Sequence, residues 1–177
     1  MDLRFIAPAL SALDDVASEI LACSVWQDVR PCEGVAALCD WRLAGRISAL
    51  LRDGFLRGEP SEVLLVPGRP RLGFDKILLF GAGARDTFDE ARFRGVVEHM
   101  LRVVDGLCAR LAVVELPGRA AELIGAERAV DLLLEAVAGS PLAARAEVWT
   151  LVESDAAARR ISHHVLERRR RVRRARE

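Results

Sequence analysis

Two groups of residues in this sequence have the types and spacing to hold an anion. Gly81-Ala82-Gly83 follow the apolar run Ile77–Phe80. A glycine turn closing a strand can present backbone N–H groups to a phosphate, or can simply let a helix pack closely on the strand. Trp26 and Gln27, which close an earlier apolar run, and Arg119, in the loop Pro117-Gly118-Arg119, complete this candidate ligand-binding set. Arg119 would offer one guanidinium or lie on plain surface. The second group is the cluster Arg168, Arg169, Arg170, Arg171, Arg173, Arg174 and Arg176. Such a cluster suits nucleic acid, with steep salt dependence, or an acidic protein surface, including this protein's own body. No aromatic residue is interleaved there for base stacking, so sequence-selective recognition of single strands is not expected.

Other reactive residue types lack partners. Asp86, Asp89 and Glu90 precede a helical pattern and suit capping and the helix dipole better than acid–base work. His99 stands alone, and the adjacent His163 and His164 project to different helix faces. Cys23, Cys32, Cys39 and Cys108 have no zinc-knuckle spacing, so core or free thiols are expected and no metal or cofactor. Lys76 is the only lysine beside 25 arginines, which excludes any mechanism needing two lysines. Trp26, Trp41 and Trp149 are dispersed and read as core or interface anchors.

The elements that must carry these residues alternate between strand and helix. Leu3–Ala7, Glu19–Trp26, Val63–Val66, Ile77–Phe80, Leu111–Leu116 and Val148–Val152 are short apolar runs that predict strands. Asp14-Asp15 predicts a turn. Apolar residues at three- and four-residue steps predict helices over Gly34–Asp53, from Phe88 to Cys108, and over Leu123–Val137. Ser154 is placed to cap a last helix. Its apolar stripe is Ile161, Val165 and Val172, and beyond Leu166 the near-continuous arginines are expected to fray into solvent.

Charge is divided unevenly. Residues 155–177 hold nine arginines and three carboxylates, a net +6, while the first 154 hold 17 basic and 23 acidic residues, a net −6. The expected organisation is one α/β domain over residues 1–154 and a helix with a basic tail over 155–177. Hydrophobic residues make up 51% of the chain, yet no run approaches the ~20 residues of a membrane span. The start, MDLRFIAPAL, has neither a basic n-region nor a long apolar stretch, so a cytoplasmic protein is expected.

The order and spacing of EILACSVW, AALCDWRLAGRISALLRDGFLRGEPSEVLLVPG, DKILLFGAGARDTFDEARFRGVVEHMLRVVDG and LAVVELPG resemble the N-terminal domain of leucyl (cytosol) aminopeptidases. The closing AEVWTLVESDAAARRISHHVLERR resembles that family's last strand and linker helix. The resemblance implies a three-layer α/β/α, macro-domain-like fold, with a mixed, mostly parallel sheet of about six strands. It also implies the absence of the metal-binding carboxylates and lysine of the family's C-terminal domain, so no aminopeptidase activity is expected here. Val25, Trp26 and Gln27 stand where ribose-binding macro domains carry an asparagine-rich segment, which argues against ADP-ribose. The expectation is a non-catalytic module acting by association with a protein partner or a second copy. The alternative is nucleotide or nucleic-acid binding through the glycine turn or the basic tail.

Overall fold

The structure is a computed structural model that describes residues 2–140 and 148–174. Six strands form one sheet: β1 (Asp2–Ile6), β2 (Ser18–Trp26), β3 (Val63–Pro67), β4 (Phe74–Gly83), β5 (Leu111–Val114) and β6 (Val148–Val152). Their order is β1-β6-β5-β2-β4-β3, with every neighbouring pair parallel except β3, which runs antiparallel to β4 at one edge. The helices are α1 (Leu10–Asp14), α2 (Gly34–Arg42), α3 (Arg46–Arg52), α4 (Glu90–Gly106), α5 (Ala126–Ala138) and α6 (Asp155–Arg174).

Apolar residues cover both sheet faces, as parallel strands require. One face carries Ile20, Leu78, Phe80, Val114, Trp149 and Leu151 against Phe93, Val97, Met100 and Leu101 of α4, Val130 and Leu133 of α5, and Ile161 of α6. The other carries Leu21, Cys23, Ile77, Leu79 and Val113 against Val35, Cys39, Ile47 and Leu51 of α2 and α3. Each such side chain, removed wholly from water, contributes roughly 1.5–3 kcal/mol. The result is the expected three layers. No helix among the described residues is long and apolar enough to cross a membrane.

Local chemistry accounts for the element ends. Asp89 caps α4, its side chain accepting the Arg92 N–H at 2.8 Å, and Glu90 in the first turn pairs with Arg128 of α5 at 2.6 Å. Ser154 Oγ accepts the Ala157 N–H at the start of α6.

The structure departs from the sequence reading in four places. The helix expected over Gly34–Asp53 is two helices, because Ala44 and Gly45 adopt left-handed φ values of 55° and 79°. Asp40, on α2, then caps α3 by accepting the Ile47 and Ser48 N–H groups at 2.7 and 3.0 Å. The Asp14-Asp15 turn is the end of the short helix α1. Leu123 and Ile124 precede α5 rather than belonging to it. The arginine-rich segment stays helical to Arg174 instead of fraying beyond Leu166.

Candidate binding cleft

Parallel sheets meet ligands beyond the carboxyl ends of their strands. There the molecule has a cleft of about 440 Å³ lined by Pro8, Gly34, Arg85, Glu115, Arg119 and Glu153, among others. β5 and β6 are each followed by a carboxylate, Glu115 and Glu153, each held by a backbone N–H bond to the neighbouring strand, to Ala22 O and Ile6 O respectively, both at 2.9 Å. Both side chains are buried.

Glu115 faces the N-terminus of α2. Its Oε1 accepts the Val35 N–H at 3.0 Å, so this carboxylate occupies the place where a helix N-terminus would hold a phosphate. Gly34 makes room for it: its φ is +61°, and a Cβ there would sit 2.5 Å from Glu115 Oε1. Burial pushes the Glu115 carboxyl up to about 7; the Val35 amide opposes this and the Glu153 charge adds to it. The group therefore exchanges its proton near neutrality.

Arg119 is not a surface loop residue. Its Nε and Nη2 donate to the two Glu153 carboxylate oxygens at 2.7 and 2.9 Å, and Nη1 donates to Ile124 O at 2.6 Å. This bidentate buried pair holds the guanidinium charged and commits three of its five N–H donors within the fold. Arg85, more exposed, pairs through Nη1 with Glu33 at 3.1 Å.

The glycine segment is the end of β4 rather than a loop. Gly81 N donates to Glu62 O at 2.9 Å and Gly83 N to Gly58 O at 2.8 Å, while Gln27 N donates to Gly83 O at 2.9 Å. Ala82 is fully buried between them. A Cβ at Gly81 would collide with Glu59 O, so packing dictates glycine here. Trp26 packs edge-on against Phe88, centroids 5.0 Å apart. The amides nearest this turn are also taken. Glu62 Oε2 accepts the N–H groups of Arg57, Gly58 and Glu59 at 2.7–3.2 Å. Asp28 accepts the Arg85 N–H at 3.0 Å.

The arginine cluster divides between partnered and free residues. Arg168 pairs with Asp131 of α5 at 2.6 Å, beside His164, whose Nε2 lies 2.9 Å from the same carboxylate. Arg160 reaches Glu127 at 3.0 Å. Arg171 lies 3.9 Å from Glu167 and is exposed, as are Arg169, Arg170 and Arg174. Arg173 lies within α6, and Arg176 lies outside the described residues.

Sequence reasoning passed over Glu115 and Glu153. The signal was one carboxylate at the carboxyl end of each of two otherwise apolar strands, LAVVEL and VWTLVES. Cys23, Cys32 and Cys39 are buried thiols and Cys108 is an exposed one.

This architecture is that of the macrodomain class. The macrodomain of Mycobacterium tuberculosis DarG superposes with a TM-score of 0.65 at 15% identity, over 86% of this chain and 98% of that one. An Oceanobacillus iheyensis macrodomain with ADP does so at 0.66 and 9%, over 88% of each chain. A tomato leucine aminopeptidase mutant matches at 0.63 and 14%, over 93% of this chain and 35% of its own. Within that class, residues 24–139 match the model of the cytosol aminopeptidase family, N-terminal domain, and the chain belongs to that family. A probable cytosol aminopeptidase of Stutzerimonas stutzeri is 37% identical over 73 residues, 41% of this chain and 15% of the relative. That of Halorhodospira halophila is 33% identical over 106 residues, 58% and 21%. The chain thus spans about a fifth or less of the length of these curated relatives.

Proposed function

We propose that this chain is a non-catalytic, macro-domain-like lobe that acts by contact with protein, either a partner or a second copy. One observation carries the reading: the arginines lining the cleft and several backbone amides around it already hold the chain's own carboxylates. Glu115 sits on α2, Glu153 on Arg119, Glu33 on Arg85, Asp28 on the Arg85 amide and Glu62 on the amides of residues 57–59. A phosphate entering the cleft would have to displace these groups and meet their negative charge. The chemistry of a hydrolase is equally poorly served: the Cys23 thiol, which feels the Glu115 charge, is wholly buried and pushed up, and no cluster among the described residues could hold a metal ion. Trp41 and Phe55, 76% and 73% exposed, offer aromatic surface for such a contact.

The test has two arms. Purified chain with added zinc or manganese should release no product from an amino-acid amide, and light scattering should report a mass above one chain or a pull-down should recover a defined partner. Metal-dependent turnover, or a monomer with no partner in either assay, overturns the reading.

A further inference from the structure

The two sheet edges are built differently. β1 carries the exposed charge of Arg4, a common device against edge-to-edge pairing. β3, Val63-Leu64-Leu65-Val66-Pro67, carries no charge at all. Val63 and Leu65 lie opposite Phe80 and Leu78, so their side chains share the α4 face of the sheet. They are nevertheless 36% and 46% exposed, because the helical layer stops short of this strand.

The free edge is also oriented. Gly81 N donates to Glu62 O, which fixes 62/81 as a hydrogen-bonded pair of the antiparallel ladder. Alternation then makes 64/79 and 66/77 bonded pairs too, and turns the N–H and C=O of Val63 and Leu65 outward. The residues with unpaired backbone groups are therefore the same ones that expose apolar side chains.

We infer that β3 pairs antiparallel with the β3 edge of a second copy of this chain, forming a continuous two-fold sheet. Charge picks this occupant. Residues 57–62 carry Arg57, Glu59 and Glu62, a net −1, and residues 68–73 carry Arg69 and Arg71, a net +2, so an antiparallel self-pair sets each net-acidic end beside the partner's basic end. Register follows from satisfaction: with the axis at Leu64, Val63 faces the partner's Leu65. The N–H and C=O of each then find mates, and Pro67, which has no N–H, falls outside the ladder. The contact is isologous and closes at two.

This inference rests on the association reading and names its partner. The test is sedimentation of the full chain at 1–200 μM beside Leu65→Lys and Val63→Lys, with circular dichroism confirming that each variant folds. The expected result is a concentration-dependent mass reaching twice the 19.4 kDa of one chain. Either lysine variant, placing two ammonium groups near the axis, should weaken assembly at least tenfold. A wild-type dimer unchanged by both variants refutes the β3 edge but leaves association standing. A wild type that stays at 19.4 kDa throughout refutes self-pairing, and association then depends on the pull-down alone.

Discussion

Replacing Glu115 by glutamine should change the pH dependence of stability more than any other single conservative substitution in the cleft. The group's proton affinity rises from an ordinary 4.5 to about 7 on folding, chiefly because burial disfavours its charged form. Between those values the native state holds more protons than the unfolded chain, so stability falls as pH rises. The contribution is full below about pH 4.5 and is lost as pH climbs through about 7. At 1.36 kcal/mol per pH unit, the displacement amounts to about 3 kcal/mol between pH 5 and pH 8.5. Glu115→Gln retains an oxygen to accept the Val35 N–H but has no charge to desolvate. Glu33, Arg85, Arg119 and Glu122 are common to both proteins and cancel in the difference, while Glu153 enters it through its repulsion of Glu115, which is part of the shift. Urea unfolding across this range should show the variant gaining about 3 kcal/mol on the wild type as pH rises. Parallel stability curves would refute the burial argument.

Further substitutions probe the packing that holds these carboxylates. Gly34→Ala must adopt a positive φ and intrude on Glu115, and should cost roughly 3 kcal/mol or more. Gly95→Ala, in open space on α4, should instead stabilise by roughly 0.5–1 kcal/mol; thermal melts of the pair check both. Arg119→Met leaves Glu153 buried and unpaired, for a loss of about 3–5 kcal/mol by denaturant titration. The double change Arg119→Met with Glu153→Leu should recover most of that loss, and no recovery would mean that the pair is not the cause. Asp131→Asn should cost about 0.5–1 kcal/mol and speed amide hydrogen exchange in α6 beyond His164; unchanged exchange would show that Asp131 does not hold the arginine-rich end.

The strands were legible because parallel pairing buries both faces and writes itself as short apolar runs. The cap at Asp89 was legible for a similarly local reason. What was hidden depended on distance or on backbone conformation. Arg119 reads as loop surface because its partner, Glu153, lies 34 residues downstream. The break between α2 and α3 turns on a left-handed Ala44, a conformation alanine seldom advertises. The glycines at 81 and 83 fitted either close packing or an anion-binding turn, since sequence cannot show that their amides are spent on Glu62 O and Gly58 O. Glu62, which fills the adjacent cluster of amides, looks like any loop carboxylate until the chain closes around it.

Calorimetric titration of the full chain with ADP-ribose reaches the central point most directly, because that ligand carries phosphates that would compete with Glu115, Glu153 and Glu33 for the donors they hold around the cleft. The prediction is no saturable heat up to millimolar ligand at pH 7. Micromolar binding, weakened when Arg119 or Gly34 is changed in a variant that still folds, would contradict a cleft closed by its own carboxylates.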